Sequence, residues 1–357
     1  MPIQEYTQQS VDLIDINQEI NSFFIDNIKK ANQINKHYGA LWQELHNLIN
    51  SGGKRIRPLM TIISYEIFGG TNTKGIIPIA AAQELLHLSM LIHDDIIDRD
   101  FIRYGVSNIA GRYQQLYEPL VKNEGDRLHY AQSSALLAGD LLISGAYQMI
   151  MGAPIVAKKI IAIQQLLGKT IFEVIGGELL DTESAFRSPA EIDTETVAYY
   201  KTASYTFIAP LMAGALMANA STKDKLYLRL FAKNLGIAYQ LTDDLIGVFG
   251  DESKSGKSSS SDLREGKRTY LVEQFYKVAT PAEQLLFATY FSKQTISDDD
   301  VNILKNLLIS TQAKKMTETA ILQFIVNARS AVDNLSLDEA HKQKLGDLIT
   351  TATKRDR

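Results

Sequence analysis

The chain has 357 residues, 45% of them hydrophobic and 22% charged, which is the ordinary composition of a soluble globular protein with room for a sizeable core. A formal net charge of −4 without a long basic block argues against a nucleic-acid partner, and the absence of cysteine excludes disulfides, thiol catalysis and cysteine-ligated zinc or iron–sulfur centres. The first residues carry acids where a leader would be basic, and the most apolar stretches are broken by Asp140 or short. A cytoplasmic chain without a transmembrane segment is therefore expected.

Apolar residues recur at three- and four-residue spacing through segments rich in Ala, Leu, Ile, Glu, Gln and Lys. The spacing predicts helices over 11–50, 57–69, 76–100, 130–150, 155–184, 191–200, 204–220, 224–249, 268–278, 282–293, 298–308, 314–333 and 338–353. Alternating strands, an internal linker and a short repeat are not seen, so the expectation is an all-α single domain over 1–357. Two segments read as loops, 104–126 and 250–270. The second mixes Gly, Ser, Lys and Asp, the composition of a loop able to close over anionic oxygens.

The segment "LIHDDIIDRD" places Asp94, Asp95 and Asp98 at i, i+1 and i+4, on roughly one helix face. Three carboxylates there raise one another's pKa, and a hard divalent cation removes the conflict. Leu91, Ile92, Ile96 and Ile97 read as buried neighbours. A second acidic pair, Asp243 and Asp244 in "YQLTDDLIGVFGD", again interrupts an apolar helix. Cations able to hold phosphate occur at Lys54, Arg55, Arg57, Arg103, Lys201, Lys257 and Lys267. Acids for magnesium together with cations for phosphate imply a diphosphate substrate. A di-iron bundle would need a second Glu-x-x-His beside Glu84 and His87, and none is found in the right context.

In order along the chain stand "GGKRIRP", "ELLHLSMLIHDDIID", "LLAGD", "GGELLD", "YKT", "YQLTDD", "GK" and "DLREGKRT". By these motifs the chain resembles the trans-isoprenyl diphosphate synthases of the polyprenyl synthetase family, of the geranylgeranyl/farnesyl type, over about residues 45–275, with a helical C-terminal part at 276–357. The resemblance implies an isoprenoid-synthase bundle of about 12 helices around a deep cavity, usually as a homodimer. It implies three magnesium ions on Asp94, Asp95, Asp98, Asp243 and Asp244. It places the allylic diphosphate on Arg103, Lys201, Lys257 and Lys267, and isopentenyl diphosphate on Lys54, Arg57 and His87. Thr202 and Gln240, with Lys201, would face the developing allylic cation. Released diphosphate would serve as the base for the final proton, and water must be excluded to protect the cation.

Two departures from the family pattern stand out. Residues 103–105 read "RYG", so Tyr104 takes the place of a second arginine that contacts isopentenyl diphosphate, and Gly247 takes the place of the last aspartate of the second motif. A subgroup with "GVFGD" and "DLREGKRT" shares that glycine. Product length in the family is set one turn before the first motif, where Ser89 and Met90, with Leu86 deeper, form no firm floor. Geranylgeranyl diphosphate is expected, with farnesyl or longer products as alternatives. A non-catalytic partner subunit and a terpene cyclase are the rival readings, although the cyclase's second motif is missing at 243–252. His93 is expected to pack against a neighbouring helix and Asp140 to be a buried structural acid.

Overall fold

The computed structural model describes residues 11–188, 191–250, 260–291, 293 and 295–353. Apart from a two-stranded hairpin, regular structure among them is helical, so the fold is all-α as expected. Cα packing groups the chain into two compact units. Among the described residues, one comprises 11–167 with 213–219; the other comprises 168–212 and 220–353.

The first unit contains α1 (Val11–Ile34), α2 (Lys36–Asn50), α3 (Ile56–Ile67), α4 (Thr73–Ile97), β1 (Ile102–Arg103), β2 (Val106–Ser107), α5 (Ile109–Tyr117) and α6 (Glu124–Gly152). Its centre is α4 packed on α6, with Ile79, Ala80 and Leu85 of α4 and Ala131, Ala138 and Leu142 of α6 fully buried. Small side chains let these helices approach closely: a Cβ on Gly139 would run into the imidazole of His93. His93 is thus packed against α6, as expected. Asp140 is not buried: its side chain is 63% exposed and lies 3.7 Å from His93 Nε2.

Several boundaries differ from the periodicity. The expected 11–50 helix breaks at Asn35, whose side chain accepts from the His37 amide (2.8 Å) and caps α2. The expected 104–126 loop holds the hairpin and α5, capped by Asn108 through the Gly111 amide (2.9 Å). Asx caps start helices where the apolar pattern is weakest, so periodicity alone overlooks them.

The second unit begins within α7 (Ala157–Ser184) and continues through α8 (Thr194–Val197), the π-helix α9 (Ala198–Ile208), the start of α10 (Ala209–Met217, which passes into the first unit at Ala213), α11 (Thr222–Phe249), α12 (Ser261–Arg264), α13 (Tyr270–Val278), α14 (Pro281–Phe291), α15 (Asp298–Ser310), α16 (Ala313–Asp333) and α17 (Glu339–Thr353). Leu241, Leu245 and Val248 of α11 share one core with Leu271, Phe275, Phe287, Leu304 and Leu308. The expected break between 200 and 204 is absent, because the π-helix carries the chain through it.

Among the described residues three helices, Thr73–Ile97, Glu124–Gly152 and Ala157–Ser184, are long and apolar enough to cross a membrane by length and composition, where in sequence the apolar stretches read as broken or too short. In the first, 83% of the apolar window is buried inside the protein, so its hydrophobicity is spent on the core.

Candidate active site

α4 ends in a Schellman motif. Arg99 adopts φ 60°, the Arg99 amide donates to Ile96 O (3.3 Å), and the Asp100 amide donates to Asp95 O (2.8 Å). Asp94 lies in the last turn and Asp98 is the C-cap residue. Carboxylates are unfavourable at a helix C-terminus, by roughly 0.3–1 kcal/mol each. Mutual repulsion adds to that cost, so this cluster fits a cation.

The three acids are not equivalent. Asp98 is exposed and Asp94 is partly open, whereas Asp95 is 3% exposed and accepts from Arg103 Nε (2.8 Å) and Nη2. Burial pushes the Asp95 carboxyl up to about 6 against the pull of that guanidinium. Asp95 thus departs from an open magnesium ligand; its Oδ1 is occupied in aiming Arg103, which also lies 3.6 Å from Asp94 Oδ2. Of the expected buried neighbours, Ile92 is buried, Leu91 and Ile96 are half-buried and Ile97 is exposed.

The hairpin turns through Tyr104 and Gly105, both at positive φ (53° and 77°), the geometry of a two-residue turn that favours Asn or Gly at the first position. The Tyr104 ring lies against Gly52, where an added Cβ would stand 3.0 Å from it. Tyr104 therefore reaches the "GGKRIRP" loop without bringing a charge. That loop is fixed by Arg55, which donates to Gly52 O (3.1 Å), Ile49 O (2.6 Å), Asn17 (3.2 Å) and Glu84 (2.9 Å). With side chains 10% and 5% exposed, Arg55 and Glu84 form a buried pair, so Arg55 is an anchor, flanked by exposed Lys54 and half-buried Arg57. Burial and the nearby charges of Arg57, Arg103 and Arg55 hold His87 well below the usual histidine range, so it is neutral at pH 7. Ser89 and Leu86 are buried and Met90 half-buried; among the described residues the Ser89 hydroxyl meets no hydrogen-bond partner.

In the second unit the π-helix carries Lys201 and Thr202, in the kind of distortion that recurs at functional sites. Gly177 allows α7 to pass against it, since a Cβ there would collide with the Tyr200–Lys201 backbone. Lys201 Nζ donates to Asp181 Oδ2 (2.6 Å) and Glu178 Oε1 (3.1 Å). Thr202 Oγ1 donates to Gln240 Oε1 (2.6 Å), Gln240 Nε2 to Asp244 Oδ1 (2.8 Å), and the Tyr270 amide to Asp244 Oδ2 (3.3 Å). Burial, opposed by the Gln240 hydrogen bond and reinforced by the charges of Asp262 and Asp243, pushes Asp244 up to about 8. Lys267 is exposed and pairs with Glu265 (2.9 Å). Lys257 lies outside the described residues.

Among the described residues no three His, Asp or Glu side chains converge into a ready-made metal cage. Magnesium does not require one, because it keeps several waters and is bound by one or two carboxylates plus substrate phosphate. The acid-rich C-terminus of α4 fits such an ion, and Asp244 fits one of its own on giving up the hydrogen bond from Gln240 Nε2 or from the Tyr270 amide. Since a ligating carboxylate must be ionised, apparent magnesium affinity is expected to rise from pH 6 to pH 8, with proton release. Titration calorimetry in two buffers of different ionisation enthalpy measures this; a pH-independent affinity would exclude Asp244 from the site.

The model of the polyprenyl synthetase family matches residues 40–308, well over half of the chain. The chain belongs to the polyprenyl synthetase family. The geranylgeranyl diphosphate synthase of Sulfolobus acidocaldarius is 31% identical over 293 residues, covering 79% of this chain and 82% of that protein. The short chain isoprenyl diphosphate synthase of Methanocaldococcus jannaschii is 30% identical over 261 residues, covering 73% and 74%. The geranylgeranyl pyrophosphate synthase of Corynebacterium glutamicum, solved with isoprenyl diphosphate and magnesium, superposes with a TM-score of 0.88 at 28% identity over 97% of this chain and 100% of that one.

As a polyprenyl synthetase the chain is a trans-prenyltransferase. Each part of the family pattern present in the described residues now has a local environment. Two further groups were not singled out as site residues from sequence. Arg55 was one phosphate candidate among several, and only its four hydrogen bonds mark it as an anchor. Glu178 and Asp181 were seen only as part of "GGELLD"; their bonds to Lys201 follow from Gly177, the one local signal of a close approach.

Proposed function

We propose that this polyprenyl synthetase condenses isopentenyl diphosphate with an allylic diphosphate (dimethylallyl, geranyl or farnesyl) to make a trans-prenyl diphosphate, with geranylgeranyl diphosphate as the main product. The observation that carries this reading is the acid-rich C-terminus of α4, with Arg103 aimed beside it by Asp95. Asp94, Asp98, Asp243 and Asp244 are the residues to hold magnesium, in three ions by family likeness. The metal, when bound, supplies positive charge for the departing diphosphate. Arg103, Lys201, Lys257 and Lys267 hold the allylic diphosphate; Lys201 exchanges its bonds with Glu178 and Asp181 for bonds to phosphate. Lys54, Arg57 and neutral His87 bind isopentenyl diphosphate. The Thr202–Gln240–Asp244 chain orients side-chain dipoles that shield an allylic cation without trapping it. A homodimer is part of the proposal, supported by exposed Phe172 and Leu179 (81% and 67%) along α7.

Incubating the purified chain with magnesium, labelled isopentenyl diphosphate and each allylic starter tests the reading. Elongation is expected. Inertness until a second subunit is supplied would instead support a non-catalytic partner, and cyclic hydrocarbon without elongation a cyclase.

Tyr104→Arg is expected to lower the KM for isopentenyl diphosphate by roughly tenfold, the equivalent of one added charge-assisted hydrogen bond of about 1.5 kcal/mol. A KM that stays put places the homoallylic diphosphate elsewhere. Ser89→Phe is expected to shorten the main product by one isoprene unit, read by mass spectrometry. A melting curve alongside registers overpacking at this buried position. An unchanged product in a folded variant puts the floor at another residue.

A further inference from the structure

The last position of the second acidic motif is Gly247, buried on α11 one turn after Asp243 and on the same face. A Cβ built on Gly247 would run into the carboxylate of Asp262, with Oδ2 nearest and Oδ1 3.0 Å away. Asp262 thus fills the space through which an aspartate at 247 would extend. We propose that Asp262, reaching in from α12, supplies the carboxylate that Gly247 lacks, and so is a magnesium-site residue of this chain. The inference rests on the magnesium-dependent reading of the same site.

The segment that carries Asp262 is held there by its surroundings. Ser260, fully buried with φ 64°, donates through Oγ to Val248 O (3.0 Å) and ties the segment to α11. Leu263 is buried in the core that contains Leu245 and Val248. The Lys267 amide donates to Asp262 O (2.9 Å), and Arg264 Nη1 to Ile296 O (2.7 Å). The glycine and the aspartate are complementary in shape: the helix gives up a side chain where the following segment delivers one. A carboxylate from this segment ties cation binding to the seating of residues 260–267, which also carry Lys267.

Magnesium titration calorimetry in the presence of inorganic diphosphate tests the proposal apart from turnover. Asp262→Asn is expected to weaken magnesium binding by about tenfold or more, the usual loss when a group supporting a metal site is removed. Gly247→Asp alone is expected to lower the melting temperature, because two carboxyls then compete for one space. The exchange variant, Gly247→Asp with Asp262→Gly, is expected to regain wild-type magnesium affinity to within about threefold, a recovery only complementary groups give. Should the variants fail to fold, cleavage of the wild-type backbone by bound Fe2+ with ascorbate and peroxide decides: cuts beside residue 262 as well as 243–247 support the proposal. Wild-type affinity in Asp262→Asn, a folded exchange variant that does not bind, or no cut near 262 overturns it. If the wild-type chain with diphosphate binds no magnesium, the underlying functional reading falls as well.

Discussion

Alanine at Asp98 or at Asp94 is expected to lower kcat for chain elongation by about 10²–10³-fold, the scale seen when one charge-stabilising group is removed from a reacting centre. The Asp98 substitution is expected to leave the metal-free melting temperature unchanged or slightly higher, whereas Asp94→Ala also removes the carboxylate 3.6 Å from Arg103 Nη2. Both acids sit at the C-terminal end of α4, where the helix dipole and the neighbouring carboxylates oppose them. Removing one relieves repulsion in the metal-free protein and removes a ligand from the loaded one. A structural acid would give the reverse pattern, lost stability with retained kcat. Thermal melts with and without magnesium plus diphosphate, beside steady-state rates, separate the two. Magnesium should raise the melting temperature of the wild type and do so less for either variant, because a ligand stabilises only in proportion to its affinity for the folded state.

Arg103→Ala is expected to be the most disruptive single change near the first motif. The Asp95 carboxylate is buried and accepts from Arg103 Nε and Nη2, so losing the guanidinium leaves a buried carboxylate without its charged partner. Breaking such a pair costs about 3 kcal/mol. The cost depends on pH, and its sign follows from the Asp95 pKa. In the folded protein that pKa is already raised to about 6, above the ordinary aspartate value, because burial outweighs the arginine. Without Arg103 it rises further. A group whose folded pKa is raised favours folding below its unfolded pKa, and that contribution is lost as pH climbs through the folded value. The gap in melting temperature between wild type and variant should therefore be small near pH 4 and widen towards pH 8. A gap that does not change with pH would mean that Asp95 is not the partner in question. The KM for the allylic substrate should rise at least tenfold, with a smaller effect on isopentenyl diphosphate. Arg103→Lys should recover part of the stability but less of the binding, since a point charge cannot reproduce the guanidinium fork.

The helical class and the two acidic motifs were legible in the sequence, because both are local. Three-and-four apolar spacing is a property of one helix, and acids interrupting an apolar run are visible without knowing what lies opposite. The hairpin and α5 were not legible, since Asn108, Tyr104 and Gly105 mark a turn and a cap with no apolar period around them. Nor was the continuity of the helix across residues 200–204, where a π-helix replaces the expected break. Asp140 was read as buried because it interrupts an apolar run, yet that run is apolar partly on an outward face, with Leu136 and Leu137 exposed beside it.

By itself, the sequence determined which groups the protein carries: acids in two clusters, cations able to hold phosphate, no thiol, and a helical framework. Tertiary structure alone decided the surroundings of each group. Asp95 and Asp98 share a motif, but the first is buried and bonded to one arginine while the second is open to solvent. Lys54 and Arg55 are neighbours, but four hydrogen bonds make the second an anchor. Gly247 looked like a missing ligand until Asp262 was found in its space. Residue type and spacing set the available charge and donors. Burial and contacts between distant residues set pKa, orientation and partner, and those depend on the fold as a whole.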